Sequence, residues 1–255
     1  LVRVELKNAG FDIDKIKIPD RVYLLADDIF DEMVSRNVGE YRYPLGGKLY
    51  VFNKNENIGF IKGHMCSPAI ATQAEDLIAG GVKELIHVGY AGGLQPELVP
   101  GEIILTDGAF NDTAVARLYG YDYDIIHSSK DLTNEIEEMI TSAEILYKRG
   151  FHWTTDAGYR ETWGQVMDYR DKGALCVEME GVGLFTIANY RKCVATGIYV
   201  VSDKGTRYEI VGKGDVINTI EPKNQGLQTI IIYRQNEDGT WNYKNNVFRV
   251  GSELD

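Results

Sequence analysis

The stretch from Ala174 to Asp203 constrains the fold of this chain more than any other. It holds two apolar runs of strand length, Ala174–Val177 and Val194–Val201, with a periodic apolar segment, Val182–Tyr190, between them. Such runs read as buried strands and such a period as a helix. A strand–helix–strand unit predicts parallel strands in an α/β sheet, because parallel strands need a long connection. Ligands of these sheets collect beyond the carboxyl ends of the strands. Both runs end there in acid, Glu178-Met179-Glu180 after the first and Ser202-Asp203 after the second. Carboxylates crowded on one sheet edge repel one another, which points to a site; the plainer alternative is solvated strand ends.

At 255 residues the chain fits one large α/β domain spanning 1–255. No apolar run reaches the roughly eighteen residues that a membrane span needs, and the amino end lacks a signal-peptide core. The chain opens on Leu1 instead of Met, which suggests a trimmed leader. Three cysteines, Cys66, Cys176 and Cys193, sit in apolar surroundings and read as reduced thiols of a cytoplasmic protein. A net charge of −11 argues against a nucleic-acid polymer as partner, since backbone phosphates demand a basic footprint. A small neutral substrate suits it. His64, His87, His127 and His152 lack ligand spacing, so neither metal nor cofactor is expected.

Strands and helices alternate along the chain. Arg21–Ala26 reads as a first core strand, and Asp27 or Asp28 caps a helix over Ile29–Ser35. Lys48–Asn53 and Ile58–Lys62 form a hairpin. Ser67 and Pro68 open a helix that Gly80-Gly81 stops. Glu84–Tyr90 and Gly101–Asp107 are strands, and Leu132–Arg149 is predicted as the longest helix, from Asp131 to Gly150. Phe151–Thr155 is a strand and Glu161–Arg170 a helix. Beyond Asp203, Asp238-Gly239 marks a hairpin turn.

An ionised carboxylate accepts hydrogen bonds only and can grip a vicinal diol. Methionine offers an apolar wall for a ring face, and a second, protonated acid can donate to a leaving nitrogen. Together they suit cleavage of a ribose–base bond, where a carboxylate also stabilises the positive charge that develops on the sugar.

Val177-Glu178-Met179-Glu180-Gly181 with Val201-Ser202-Asp203 resembles the nucleoside phosphorylase superfamily of purine nucleoside phosphorylase, uridine phosphorylase and methylthioadenosine nucleosidase. Further likeness lies in Val88–Pro96 with its Gly92 turn, in Pro68 with Glu75-Asp76-Leu77, and in Tyr159-Arg160-Glu161-Thr162. It covers about residues 20–205; the segment 206–255 diverges. Asn111–Arg117 is most similar to bacterial hexameric purine nucleoside phosphorylases. The resemblance implies a single nucleoside phosphorylase-like domain with a mixed, curled central sheet flanked by helices, and a homo-oligomer, dimer or hexamer, whose neighbour completes the site. It implies that Glu180 binds the ribose hydroxyls, that Met179 packs on the sugar with Glu178 beside it, and that Asp203, assisted by Ser202, protonates the purine. Tyr159 and Arg160 fall in the base segment, Gly92 and Tyr90 line the substrate, and His64 is a candidate for the 5′ end of the sugar, with an ordinary loop histidine as the alternative. The family's base-stacking aromatic falls at Gly158.

The phosphate site departs from the family. Its first-loop glycine and arginine fall at Ala26 and Phe30, its arginine before Val-Gly is His87, and its phosphate-binding Ser or Thr is Tyr90. Arg42 matches the arginine lent by a neighbouring subunit. Each lost guanidinium removes about 1.5–3 kcal/mol of charged hydrogen bonding. The expectation is therefore hydrolysis, or an altered acceptor, with Asp31 as the favoured water-orienting acid among Asp27, Asp28, Asp31 and Glu32; a solvated helix start is the alternative. Phosphorolysis with a rebuilt phosphate site, and a non-catalytic nucleoside binder, stand beside it.

Overall fold

The computed structural model describes residues 2–12, 16–204, 208–210, 215–218, 228–235 and 241–250, with side chains up to Ser202 apart from those of 2, 3, 5 and 163. By contacts the chain divides into two compact units, Leu1–Asp203 and Lys204–Asp255. The expectation of one domain over 1–255 thus meets a chain of two compact units, the second beginning at Lys204, close to the start of the segment 206–255 expected to diverge.

The first unit runs α1 (Val2–Asn8), β1 (Arg21–Leu25), α2 (Asp27–Ser35), β2 (Gly39–Tyr43), β3 (Leu49–Phe52), β4 (Asn55–Lys62), α3 (Ser67–Gly80) and β5 (Glu84–Gly93). It continues with β6 (Ile103–Asp112), α4 (Val115–Leu118), β7 (Ile125–His127), α5 (Lys130–Ser142), β8 (Tyr147–Thr155), α6 (Trp163–Asp171), β9 (Cys176–Glu178), α7 (Gly181–Arg191) and β10 (Val194–Lys204). The described strands form one mixed sheet in the order β10-β6-β8-β9-β5-β1-β4-β3-β2, with β7 on β6. β10 also pairs with β5, which closes β10, β6, β8, β9 and β5 into a ring.

Side-chain alternation along the strands explains why helices cover both faces. In β1, Val22 and Leu24 join Ile70, Leu77, Leu184 and Ile187 of α3 and α7, whereas Tyr23 turns to Leu132, Ile136 and Ile140 of α5. Inside the ring, Ala91, Ile104, Cys176, Tyr199 and Val201 pack together.

Two expectations are corrected. β9 and β10 are not a parallel pair: β10 is antiparallel to β6, which is parallel to β8, which is parallel to β9, so the two run in opposite senses with β5 between them. The predicted helix Leu132–Arg149 ends at Ser142, because Glu144 adopts a left-handed conformation at φ 55 and the chain from Tyr147 pairs with β6. Among the described residues the longest helix is α3.

The second unit is an antiparallel array of β11 (Tyr208–Ile210), β12 (Asp215–Asn218), β13 (Gln228–Gln235) and β14 (Trp241–Val250). Gln235 faces Trp241 across β13 and β14, as a hairpin there requires; Asp238-Gly239 lies outside the described residues.

Candidate active site

The site gathers around Ala91, in the carboxyl half of β5. On one side β9 pairs Gly92 with Val177 and Gly93 with Cys176, which carries Glu178 alongside Ala91. On the other, Ser202 of β10 donates to the Ala91 carbonyl at 3.3 Å. The acidic ends of β9 and β10 meet because both flank one strand.

Glu178 is buried and held by four donors. Oε1 accepts from Thr154 Oγ1 at 2.5 Å and from His152 Nε2 at 3.0 Å, and Oε2 accepts from the backbone N–H of Glu180 and of Gly181, each at 2.8 Å. The latter two open α7, whose amino end favours negative charge. His152 Nδ1 meets Thr106 Oγ1 at 2.6 Å, so the chain of contacts runs from β9 through β8 to β6. Burial pushes the Glu178 pKa up, yet His152, His87 and Thr154 together hold it well below the usual carboxylate range.

Glu180 has the opposite environment. Oε1 accepts from the Cys66 N–H at 2.7 Å and Oε2 from the Met179 N–H at 3.2 Å. Burial first, and then the charge of Glu178, push its pKa up to about 7 against those two N–H groups. Cys66 presents its N–H from a backbone at φ 72 and ψ 149, a region that costs a residue with a side chain about 1–3 kcal/mol. Ser67 Oγ donates to the Met179 carbonyl at 2.9 Å, tying α3 to the same turn. A side chain on Gly158 would begin 3.6 Å from Met179 Sδ and 3.6 Å from Glu161 Oε1, in ordinary contact with both.

His87 joins this pair. One of its ring nitrogens and one oxygen each of Glu178 and Glu180 all lie within 4.8 Å of one another, a convergence that sequence spacing does not reveal. Burial pulls the His87 pKa down to about 4, so the ring is neutral at neutral pH. Its edge meets Tyr199, the ring centroids 5.5 Å apart.

Other expected residues stand apart. Tyr90 donates to Asp28 Oδ2 at 2.6 Å, which raises its own pKa, and it is Asp28, not Asp31, that reaches β5. Asp31 is exposed along α2, and the Ala26 N–H bonds to the Val88 carbonyl at 2.9 Å. Arg42 is exposed on β2 with Glu40 at 3.7 Å. His64 is exposed, its N–H on Gln73 Oε1 at 2.9 Å. Tyr159 and Arg160 occupy an exposed 3₁₀ turn. The side chain of Asp203 lies outside the described residues. Among the described residues no arginine or lysine pairs with Glu178 or Glu180.

His152, Thr154, Thr106 and Cys66 escape a reading by motif. The available signal was a histidine and two threonines inside the apolar strand Phe151–Thr155, where polar side chains demand partners.

The phosphorylase superfamily sequence profile matches residues 18–223 of this chain. The chain belongs to the phosphorylase superfamily. It is similar to the DeoD-type purine nucleoside phosphorylase of Exiguobacterium sibiricum, with 29% identity over 188 residues covering 72% of this chain and 78% of the relative. The DeoD-type 1 enzyme of Shewanella oneidensis is 27% identical over 195 residues, covering 75% and 80% respectively. The DeoD-type enzyme of an Exiguobacterium species is 30% identical over 188 residues, covering 72% and 77%. This superfamily member is accordingly an enzyme of the nucleoside phosphorylase family, and no helix among its described residues is long and apolar enough to cross a membrane.

Proposed function

We propose that this enzyme cleaves the N-glycosidic bond of a purine-like nucleoside with water as the acceptor. The observation that carries the reading is Glu180, a half-buried carboxylate with only two backbone donors, set between Met179 and the fully satisfied Glu178. It has lone pairs left for a diol, and Glu178 has none. Charge developing on the sugar would meet two carboxylates in a low-dielectric site, where such stabilisation is strongest.

What disfavours phosphate is equally local. The position expected to hold an anion carries a neutral His87, and Tyr90 brings in the carboxylate of Asp28. A phosphate dianion gains nothing there, whereas water is indifferent to the charge. Asp28 takes the place of Asp31 as the first-loop acid in this reading, while Asp203, with Ser202, remains the proposed donor to the base. The family resemblance further supports a cytoplasmic dimer or hexamer.

The test is base release from adenosine and inosine in phosphate-free buffer, with the sugar product identified. Free ribose at a rate that phosphate leaves unchanged is expected. A rate saturable in phosphate, with ribose 1-phosphate as product, would show ordinary phosphorolysis through a rebuilt site.

A further inference from the structure

We propose that His87 holds the attacking water, in a niche for one small molecule bounded by the carboxylates of Glu178 and Glu180. This rests on the hydrolytic reading above and names the group that handles its acceptor.

His87 is only 5% exposed, and its Nδ1 has no hydrogen-bond partner among the described residues. Leaving such an atom unsatisfied costs about 1–3 kcal/mol, and buried polar atoms of this kind are ordinarily met by an internal water with two to four partners. In the free enzyme the niche offers such partners: one ring nitrogen of His87 and the Glu180 carboxylate, whose remaining lone pairs pass to the sugar hydroxyls when a nucleoside binds.

Other occupants fit less well. A divalent cation would need an oxygen of Glu178, yet both are taken by Thr154, His152 and the N–H groups of Glu180 and Gly181. Phosphate would face two carboxylates that no arginine or lysine among the described residues pairs with.

The step balances with water alone. The water oxygen bonds to C1′ while the C1′–N bond breaks, and that electron pair leaves with the base, which takes a proton from the acid proposed above. The proton shed by water goes to the accepting nitrogen of His87. The imidazolium so formed is offset by the Glu178 and Glu180 carboxylates beside it.

The experiment compares wild type with His87→Phe and His87→Gln in phosphate-free buffer, following base release and, separately, the affinity for a carbon-linked purine nucleoside that cannot be cleaved. We expect kcat to fall about 100-fold or more in His87→Phe, affinity for the analogue to change less than about threefold, and His87→Gln, which keeps an acceptor, to recover part of the rate. If His87→Phe does not bind the analogue, His87→Leu replaces it with the same expectation. A chelator should leave wild-type turnover unchanged. His87→Phe or His87→Leu at the wild-type rate, His87→Gln no faster than these, or activity lost to chelator and restored by a divalent ion would each overturn the proposal. Failure of the hydrolytic reading shows instead in the wild type alone, as turnover that requires phosphate.

Discussion

Two glutamates separated by a single methionine are held in opposite states by what surrounds them. Glu178 is charged because four donors converge on it. Glu180 holds its proton up to about 7, against an ordinary 4.5, because it is buried beside that charge. A folded-state pKa above the unfolded one means that the native protein keeps a proton which the unfolded chain releases. The contribution of Glu180 to stability is therefore full below about pH 4.5 and is lost as pH rises through about 7. Binding of a diol needs the ionised form, so kcat/KM should rise through about pH 7 and level off above it. Glu180→Gln should abolish that rising limb along with most of the activity. A pH profile for the wild type that is flat between 5 and 8, roughly the range in which such a group titrates, would contradict this assignment.

At the scale of elements, the clamp depends on how closely α3 and α7 approach. A Cβ on Gly183 would lie 2.5 Å from the Ser67 carbonyl oxygen and 2.8 Å from its Cα. Alanine elsewhere in a helix gains about 1 kcal/mol over glycine; here the backbone of α3 would have to move. Gly183→Ala should thus destabilise by about 1–3 kcal/mol, read from the midpoint of denaturant unfolding. It should also weaken nucleoside binding, because the same turn carries the Cys66 N–H to Glu180 and the Ser67 hydroxyl to Met179. A stabilised variant would mean that the helices are not in contact there.

The sequence made part of this legible and hid the rest for physical reasons. Glu178, Met179, Glu180 and Ser202 stand at strand ends, where local pattern and family likeness both point. The support under Glu178 is not local: His152 meets Thr106 across 46 positions of chain, and Cys66 meets Glu180 across 114. No periodicity encodes such contacts. The overlong helix at Leu132–Arg149 shows a different limit. Its apolar spacing continues into Ile145 and Leu146, yet these are 43% and 92% exposed, and a left-handed Glu144 ends the helix before them. Similarly, strand–helix–strand patterning correctly marked β9, α7 and β10 but could not say that β5 would separate the strands.

On the scale of the whole molecule, ring closure converts sequence distance into a site. β10 returns to β5 after the sheet has passed through β6, β8 and β9, so residues from four strands, His87, His152, Glu178 and Ser202, share one neighbourhood. A net charge of −11 adds a field that opposes an approaching anion and leaves a neutral nucleoside and water unaffected. The most direct test of the central claim is a crystal structure with an uncleavable, carbon-linked purine nucleoside. The sugar should lie on Met179, with its 2′ and 3′ hydroxyls about 2.7 Å from the Glu180 carboxylate. A sugar bound elsewhere, with Glu180 still engaged only by the N–H groups of Cys66 and Met179, would contradict it.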